Sequence, residues 1–119
     1  MDMKKEECIF CKIAKGEIPA IRIYENKSFF AIPDAHPVVP GHTLIISKKH
    51  FENTLEIPSN LGNDLLDAIK KTAEKLLEKH KSEGFNLANN NSEAAGQIVK
   101  HVHFHIIPRN KGDGLKFFA

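Results

Sequence analysis

The sequence has no tryptophan, one tyrosine and only two cysteines among its 119 residues. Small secreted domains that depend on disulfides carry several bridges, so this scarcity of cysteine excludes a disulfide framework. The chain also has no apolar run near the ~20 residues that a transmembrane helix needs. Its charged first residues have no apolar segment behind them. We therefore expect a cytoplasmic protein with no membrane partner.

The chain also lacks a strong excess of charge of either sign. Lysine and arginine total 17 against 15 aspartates and glutamates, which gives a net charge of +2. Dedicated nucleic-acid binders carry a much stronger positive field, so nothing in the charge favours nucleic acid as a partner. With 41% hydrophobic and 27% charged residues, the composition is that of a globular protein. The length suits one domain over residues 1–119.

Hydrophobic patterning predicts an α+β fold, with a mostly antiparallel sheet and one principal helix on a face. Apolar residues recur at spacings of three and four from Leu61 to Leu77, with lysines and glutamates on the opposite side, which is typical of an amphipathic helix. Ser59 or Asn60 is expected to cap this helix, and Gly84 to stop it in a left-handed conformation. A helical turn is predicted at 8–15, strands at 20–24, 28–32, 43–47, 85–89 and 98–107, and an irregular tail after Pro108.

Three of the seven histidines alternate with apolar residues in the last predicted strand. Because side chains alternate between the two faces of a strand, His101, His103 and His105 are predicted to share one face. A row of imidazoles is poor packing on an otherwise well-patterned strand, which indicates function rather than three merely exposed side chains. Two functional interpretations compete. The histidines can bind a metal such as Zn²⁺, or a largely neutral imidazole can serve as nucleophile and proton carrier.

Neutral polar residues directly upstream favour the second interpretation. Amides, a hydroxyl and a flexible backbone suit phosphate oxygens better than they suit a metal ion. These residues are Asn89, Asn90, Asn91, Ser92, Gly96 and Gln97.

With these features combined, the sequence resembles a known family. The run AGQIVKHVHFHIIPR at 95–109 resembles the H-φ-H-φ-H-φ-φ signature of the histidine triad (HIT) nucleotide hydrolases and transferases. The segments PGHTLIISKKH at 40–50 and CIFCKI at 8–13, together with Asp34, extend the resemblance over nearly the whole chain. The resemblance implies a HIT-like fold and a homodimer whose sheets join across the interface.

The resemblance also implies a reaction at the α-phosphorus of a nucleotide. His103 would be the nucleophile and would form a covalent nucleotidyl-histidine, which water hydrolyses with release of AMP. His105 would hydrogen-bond the phosphate or protonate the leaving group. His42 would complete the polar wall from a neighbouring strand. No catalytic metal is required by this chemistry.

Three further residues are implied to bind the purine nucleotide substrate. Asn90 and Gln97 match positions whose side chains contact the phosphate, and Asp34 matches a residue that accepts hydrogen bonds from the ribose hydroxyls. Without the histidines, a simpler interpretation of Asp34 and Asn90 is that they stabilise their loops, as Asx side chains often do.

The substrate class is left open by the resemblance. Ile98 lies where the phosphoramidase branch often has a serine, whereas AGQIVKHVH and PRNKGD resemble the dinucleoside-polyphosphate branch. Phosphoramidates and dinucleoside polyphosphates are therefore both candidate substrates. The alternative to an enzyme is a catalytically weak nucleotide-binding or scaffold protein.

The two cysteines form a single C-x-x-C. Two thiolates supply half of a tetrahedral zinc shell, so the motif alone is a weak metal signal. The resemblance implies a structural zinc site in which His50 and His101 join Cys8 and Cys11. The alternatives are a redox pair, which no thioredoxin-like βαβ pattern supports, and two inert core thiols.

Overall fold

The computed structural model of the protein describes residues 8–116. The charged segment at 1–7 and the end of the tail at 117–119 lie outside the described residues. The elements in chain order are α1 (Ile9–Ala14), β1 (Tyr24–Glu25), β2 (Phe29–Pro33), β3 (Thr43–Ser47), α2 (Gly62–His80), β4 (Gly84–Ala88) and β5 (His103–Arg109). Short 3₁₀ turns occupy Thr54–Glu56, Ser59–Leu61 and Glu93–Ala95. Neither helix in this part of the chain has the length and apolar character needed to cross a membrane.

The five strands form one antiparallel sheet in the order β1-β2-β3-β5-β4, and the predicted α+β fold is confirmed. One face packs against the apolar side of α2, where Ala68, Ala73 and Leu76 are buried. The sheet residues of this core are Phe29, Ala31, Ile45, Phe104 and Ile106. The strand predicted at 20–24 is largely wrong, because β1 covers Tyr24–Glu25 and shares one residue with it. Just before β1, the N–H of Ile23 donates to the carbonyl of Ala31 (2.8 Å).

The opposite face of the sheet carries α1 and the histidines of β5. A second apolar cluster joins Phe10 and Ile13 of α1 to Phe30, Ile32, Leu44 and Ile46 of the sheet. His103 pairs with Ile46 of β3, and His105 pairs with Leu44. Both histidines therefore lie on the face that α1 partly covers, away from α2.

The predicted strand at 98–107 begins too early. β5 starts at His103 and continues to Arg109, so the prediction that His101 shares the strand face is wrong. The backbone N–H of Val102 donates to the carbonyl of Phe51 (2.7 Å), which takes this part of the chain out of the sheet ladder. His101 lies in a bend and is fully buried.

The predicted ends of the principal helix are also wrong. A 3₁₀ turn over Ser59–Leu61 precedes α2, and the residue at its N-cap, Leu61, makes no side-chain capping bond, so neither Ser59 nor Asn60 caps it. The left-handed stop is Lys81 (φ 50°), whose N–H reaches carbonyls of the last turn. Those bonds offset the cost of a left-handed non-glycine residue. Gly84 instead begins β4.

Candidate active site

A cavity of about 480 Å³ opens on the sheet face that carries α1. Its polar lining comes from five side chains: Asp34 and His36 after β2, Asn90 after β4, and His103 and His105 on β5. Its apolar lining includes Ile9, Phe10, Ile13, Ile32, Leu44 and Val99. Ile98, at 89% exposure, lies at the mouth. Such a mixture suits a ligand that has both an apolar ring and a charged group.

The backbone holds His103 in one tautomer. Its Nδ1 lies 2.8 Å from the carbonyl oxygen of His101, and a carbonyl can only accept, so Nδ1 carries the hydrogen. In the neutral ring the lone pair is then on Nε2. Asn89 Nδ2 donates to the carbonyl of His103 (2.9 Å) and fixes the start of β5 against the loop after β4. His103 therefore offers an unprotonated ring nitrogen, as a nucleophile must.

A hydrogen-bonded chain sets the opposite tautomer at His105. The backbone N–H of Val38 donates to His42 Nδ1 (3.2 Å), so the hydrogen of neutral His42 is on Nε2. His42 Nε2 lies 2.9 Å from His105 Nδ1 and donates to it, which leaves the hydrogen of His105 on its own Nε2. The ring centroids of His103 and His105 are 5.3 Å apart. An unprotonated nitrogen and an N–H donor are thus neighbours in the cavity wall.

Burial favours the neutral forms of His42 and His105 near pH 7. The pKa of His105 is lowered to about 4, first by burial and then by the nearby His103 and His42, while Asp34 opposes the shift. Burial also lowers the pKa of His42, although Asp34 raises it. Because neutral imidazole is a very weak acid, His105 acts as a hydrogen-bond donor to charge on an acceptor rather than as a strong acid.

Asp34 lies close to this chain and also shapes its own loop. Its Oδ2 is 3.4 Å from His42 Nε2, and its Oδ1 accepts the backbone N–H of His36 (2.8 Å). The second contact is an Asx-type bond, so the loop-stabilising interpretation has direct support. A carboxylate has about four lone-pair positions, so the same side chain can also accept ligand hydroxyls in the cavity. Asp34, His42 and His105 have ligand atoms close enough together to hold a metal ion. Both ring nitrogens of His42, however, already make hydrogen bonds, to the N–H of Val38 and to His105.

The structure brings one of the two predicted phosphate-binding amides to the cavity. Asn90 lines it. Gln97 is 5% exposed, and its Oε1 accepts the N–H of Ser92 (2.7 Å). Its Nε2 donates to the carbonyls of Glu52 (2.6 Å) and Val99 (3.0 Å). Within residues 8–116, Gln97 is not part of this cavity's lining, and its bonds hold the loop that follows Asn90.

A second cluster of chemically active side chains lies beside the nucleophile. The Sγ atoms of Cys8 and Cys11 and one ring nitrogen each of His50 and His101 all lie within 4.8 Å of one another. His101 Nδ1 is 3.3 Å from Cys8 Sγ, and His50 Nδ1 is 3.2 Å from Cys11 Sγ. Cys8 caps α1 and Cys11 lies in its first turn, so the short helix brings the two thiols together. These four residues could hold a metal ion.

The surroundings of His101 suit a metal ligand. Its Nε2 lies 2.7 Å from the carbonyl oxygen of Ser47 and so carries the hydrogen, which leaves the lone pair of Nδ1 directed at the two cysteines. Burial is the main cause that lowers the pKa of His101 to about 4, and the ring is therefore neutral. Metal-bound imidazoles usually donate their other N–H to a carbonyl or carboxylate. Two thiols and two imidazoles, with this support at His101, fit tetrahedral Zn²⁺.

Comparison with known proteins decides the family. The family model described as the HIT domain matches residues 15–112. The chain belongs to the HIT family. An uncharacterised HIT-like protein of Methanocaldococcus jannaschii is 50% identical over 107 residues, which cover 90% of this chain and 82% of that protein.

Two other HIT proteins have names that bear on the cavity and on the candidate metal site. An adenosine 5'-monophosphoramidase of Candida albicans is 42% identical over 106 residues, which cover 86% of this chain and 70% of that protein. The crystal structure of a Zn-bound histidine triad family protein from Mycobacterium smegmatis matches with a TM-score of 0.87 at 37% identity, covering 96% of this chain and 83% of that one. The HIT resemblance and the HIT-like fold are thus confirmed.

Three residues that support the active-site histidines or the candidate metal site were not identified from the sequence. Val38 and Ser47 act through a backbone N–H and a backbone carbonyl, which leave no side-chain signature. Phe10 contacts the rings of His101 and His103 edge-on. Its only signal in the sequence was its position between the two cysteines.

Proposed function

We propose that this HIT protein is a nucleotide hydrolase that releases AMP through a covalent nucleotidyl-His103 intermediate. The observation that carries the proposal is the pair of opposite tautomers on β5, with an unprotonated Nε2 at His103 beside an Nε2–H at His105. One nitrogen supplies an electron pair and the other a hydrogen bond. Phosphoryl transfer depends on such positioning and on the stabilisation of charge on the phosphoryl oxygens.

In the first step, His103 Nε2 forms a bond to the α-phosphorus, and the bond from phosphorus to the leaving group breaks. The leaving group departs with the bonding electrons and takes a proton from solvent. Positive charge on the imidazole makes its Nδ1–H a stronger donor to the carbonyl of His101, which stabilises the intermediate. His105 donates its hydrogen bond to a phosphate oxygen.

In the second step, water attacks the same phosphorus and the P–Nε2 bond breaks. The electron pair returns to His103 Nε2, the oxygen of water stays on AMP, and its proton passes to solvent. Each displacement is easier than a direct attack by water on the substrate, because imidazole is a good nucleophile and then a good leaving group.

The proposed nucleotide position follows the lining of the cavity. The base packs against the apolar residues of α1 and the sheet, among them Phe10, Ile13 and Ile32. Asp34 accepts the ribose hydroxyls, and Asn90 donates to the phosphate. Gln97 acts on the phosphate indirectly, through the loop that its three hydrogen bonds hold.

For the leaving group we propose an amine, so that the substrate is an adenosine phosphoramidate. The relative named adenosine 5'-monophosphoramidase supports this choice. The second candidate is a dinucleoside polyphosphate. Ile98 favours it, because the phosphoramidase branch often has a serine at this position and the apolar side chain of Ile98 cannot hydrogen-bond the leaving group as a serine can.

The test is the intact mass of the protein after brief mixing with an adenosine phosphoramidate or, separately, with diadenosine tetraphosphate. An alkaline quench preserves the phosphorus–nitrogen bond to histidine. We expect an AMP-sized adduct with both substrates, formed faster from the phosphoramidate. AMP binding without an adduct and without turnover would contradict the enzyme and support the scaffold alternative.

We further propose a single cytoplasmic HIT domain over 1–119, with structural zinc at Cys8, Cys11, His50 and His101, that forms a homodimer. β4 is an edge strand with exposed Phe85 (39%) and Leu87 (48%), and an edge of this kind can pair with a second copy. Sedimentation should give the mass of two chains, and the mass of one chain would contradict the dimer.

A further inference from the structure

His101 takes part in both the active site and the Cys/His cluster, which is formed by Cys8, Cys11, His50 and His101. The side chain of His101 directs Nδ1 at Cys8 and Cys11. The backbone carbonyl of the same residue accepts the Nδ1–H of His103 and so selects the tautomer of the nucleophile. A change in the position of His101 therefore changes the hydrogen bond that keeps His103 Nε2 unprotonated.

Phe10 makes a second connection between the two sites. It lies between the cysteines on α1, is 7% exposed, and contacts the rings of both His101 and His103 edge-on, with centroid distances of 5.7 Å and 5.2 Å. The same ring lines the cavity, as do its helix neighbours Ile9 and Ile13. The helix that supplies two candidate metal ligands thus also supplies part of the nucleotide wall.

We propose that metal binding at the Cys/His cluster and nucleotide binding in the cavity are coupled, with Phe10 as the positioning residue that carries the coupling. The inference rests on the proposed function, since it takes the cavity to bind AMP. A bound Zn²⁺ fixes α1 and His101 together, and thereby fixes Phe10 and the nucleophile in the arrangement that AMP requires. Coupling is reciprocal, so AMP must tighten zinc binding by the same factor as zinc tightens AMP binding.

The experiment measures the AMP dissociation constant by calorimetry for zinc-loaded and zinc-stripped full-length protein. Circular dichroism first establishes that the stripped protein is folded at room temperature. We expect stripping to weaken AMP binding by about tenfold, within the usual range of coupling between sites. NMR of the imidazole nitrogens should show His103 only as the Nδ1–H tautomer when zinc is bound, and as a mixture of tautomers after stripping.

Phe10→Leu and Phe30→Leu form a matched pair of variants. Phe30 belongs to the same apolar cluster and is fully buried, but it does not line the cavity. The ratio of loaded to stripped AMP affinity is compared within each variant, so any direct contact between Phe10 and the nucleotide cancels. Phe10→Leu should bring the ratio close to one, and Phe30→Leu should keep the wild-type ratio.

Three outcomes would overturn the coupling: a wild-type ratio of one, a full ratio retained in Phe10→Leu, or a stripped protein that is unfolded. The last would mean that zinc acts through global folding and not through Phe10. A loaded wild-type protein that binds no AMP would instead contradict the proposed function.

Discussion

Replacing His103 with alanine is expected to lower kcat for an adenosine phosphoramidate by about 10⁴-fold or more, the scale of loss when a catalytic nucleophile is deleted. AMP affinity should change little, because Asp34, Asn90 and the apolar wall of the cavity remain. Metal content should not change, since His103 is not one of the four residues of the Cys/His cluster. Steady-state turnover, calorimetry with AMP and elemental analysis measure these three quantities.

The matched variant His105→Ala removes the hydrogen-bond donor and keeps the nucleophile. Loss of one donor to developing charge costs about 10²- to 10³-fold in kcat, so this variant should still form the covalent adduct, which His103→Ala cannot. His103→Gly leaves space for free imidazole, and added imidazole should restore part of the turnover without a protein adduct. A His103→Ala protein within about tenfold of wild-type kcat would place the nucleophile elsewhere.

Strong local periodicity made much of the fold predictable. β3 has the predicted bounds 43–47, and the strands at β2 and β4 differ from prediction by one residue at each end. For β2 and β3 the reason is that apolar and β-branched residues reflect burial on a sheet, and every residue of these two strands except Pro33 is buried. Val102, Phe104 and Ile106 are buried as the alternation with the histidines predicted.

The position of His101 was not predictable from the same pattern. The alternation continues backwards through residue 101, although the backbone there leaves the sheet to bond Phe51. That partner is 51 residues away from Val102 in the sequence, and nothing local signals it. The predicted ends of α2 failed for a different reason, because local backbone bonds of the preceding 3₁₀ turn and of Lys81 replaced the expected Ser59 or Asn60 cap and the Gly84 stop.

The chemistry of the site was predictable in kind but not in arrangement. Residue types and spacing indicated a nucleophilic histidine and polar neighbours, yet the tautomers of His103 and His105 depend on the carbonyl of His101 and the N–H of Val38. Gln97 shows the same limit, since its amide contacts backbone groups of Ser92 and Val99 in its own loop and of Glu52 far away in the sequence. The residue type determines whether a side chain can donate or accept a hydrogen bond, and the fold determines which atom is its partner.

The short length of α1 shows why the Cys/His cluster matters for stability. Helices shorter than ~12–15 residues are marginal by themselves, and α1 has only six. Two of its buried positions, Phe10 and Ile13, pack against the sheet, and Cys11 belongs to the cluster. A bound metal would therefore supply much of the free energy that holds this helix over the cavity.

Removing zinc with a chelator is expected to lower the Tm by about 15 °C. A ligand held about 1,000-fold above its Kd stabilises the folded state by about 4 kcal/mol, and a domain of this size loses about 4 °C of Tm per kcal/mol. Scanning calorimetry before and after chelation measures the shift, with chelator presaturated with zinc as the control. A Cys8→Ser/Cys11→Ser double variant should melt near the stripped protein and gain nothing from added zinc. A wild-type protein that contains no zinc by elemental analysis and melts unchanged with chelator would contradict the site, and the packing of Phe10 and Ile13 would then have to hold α1 alone.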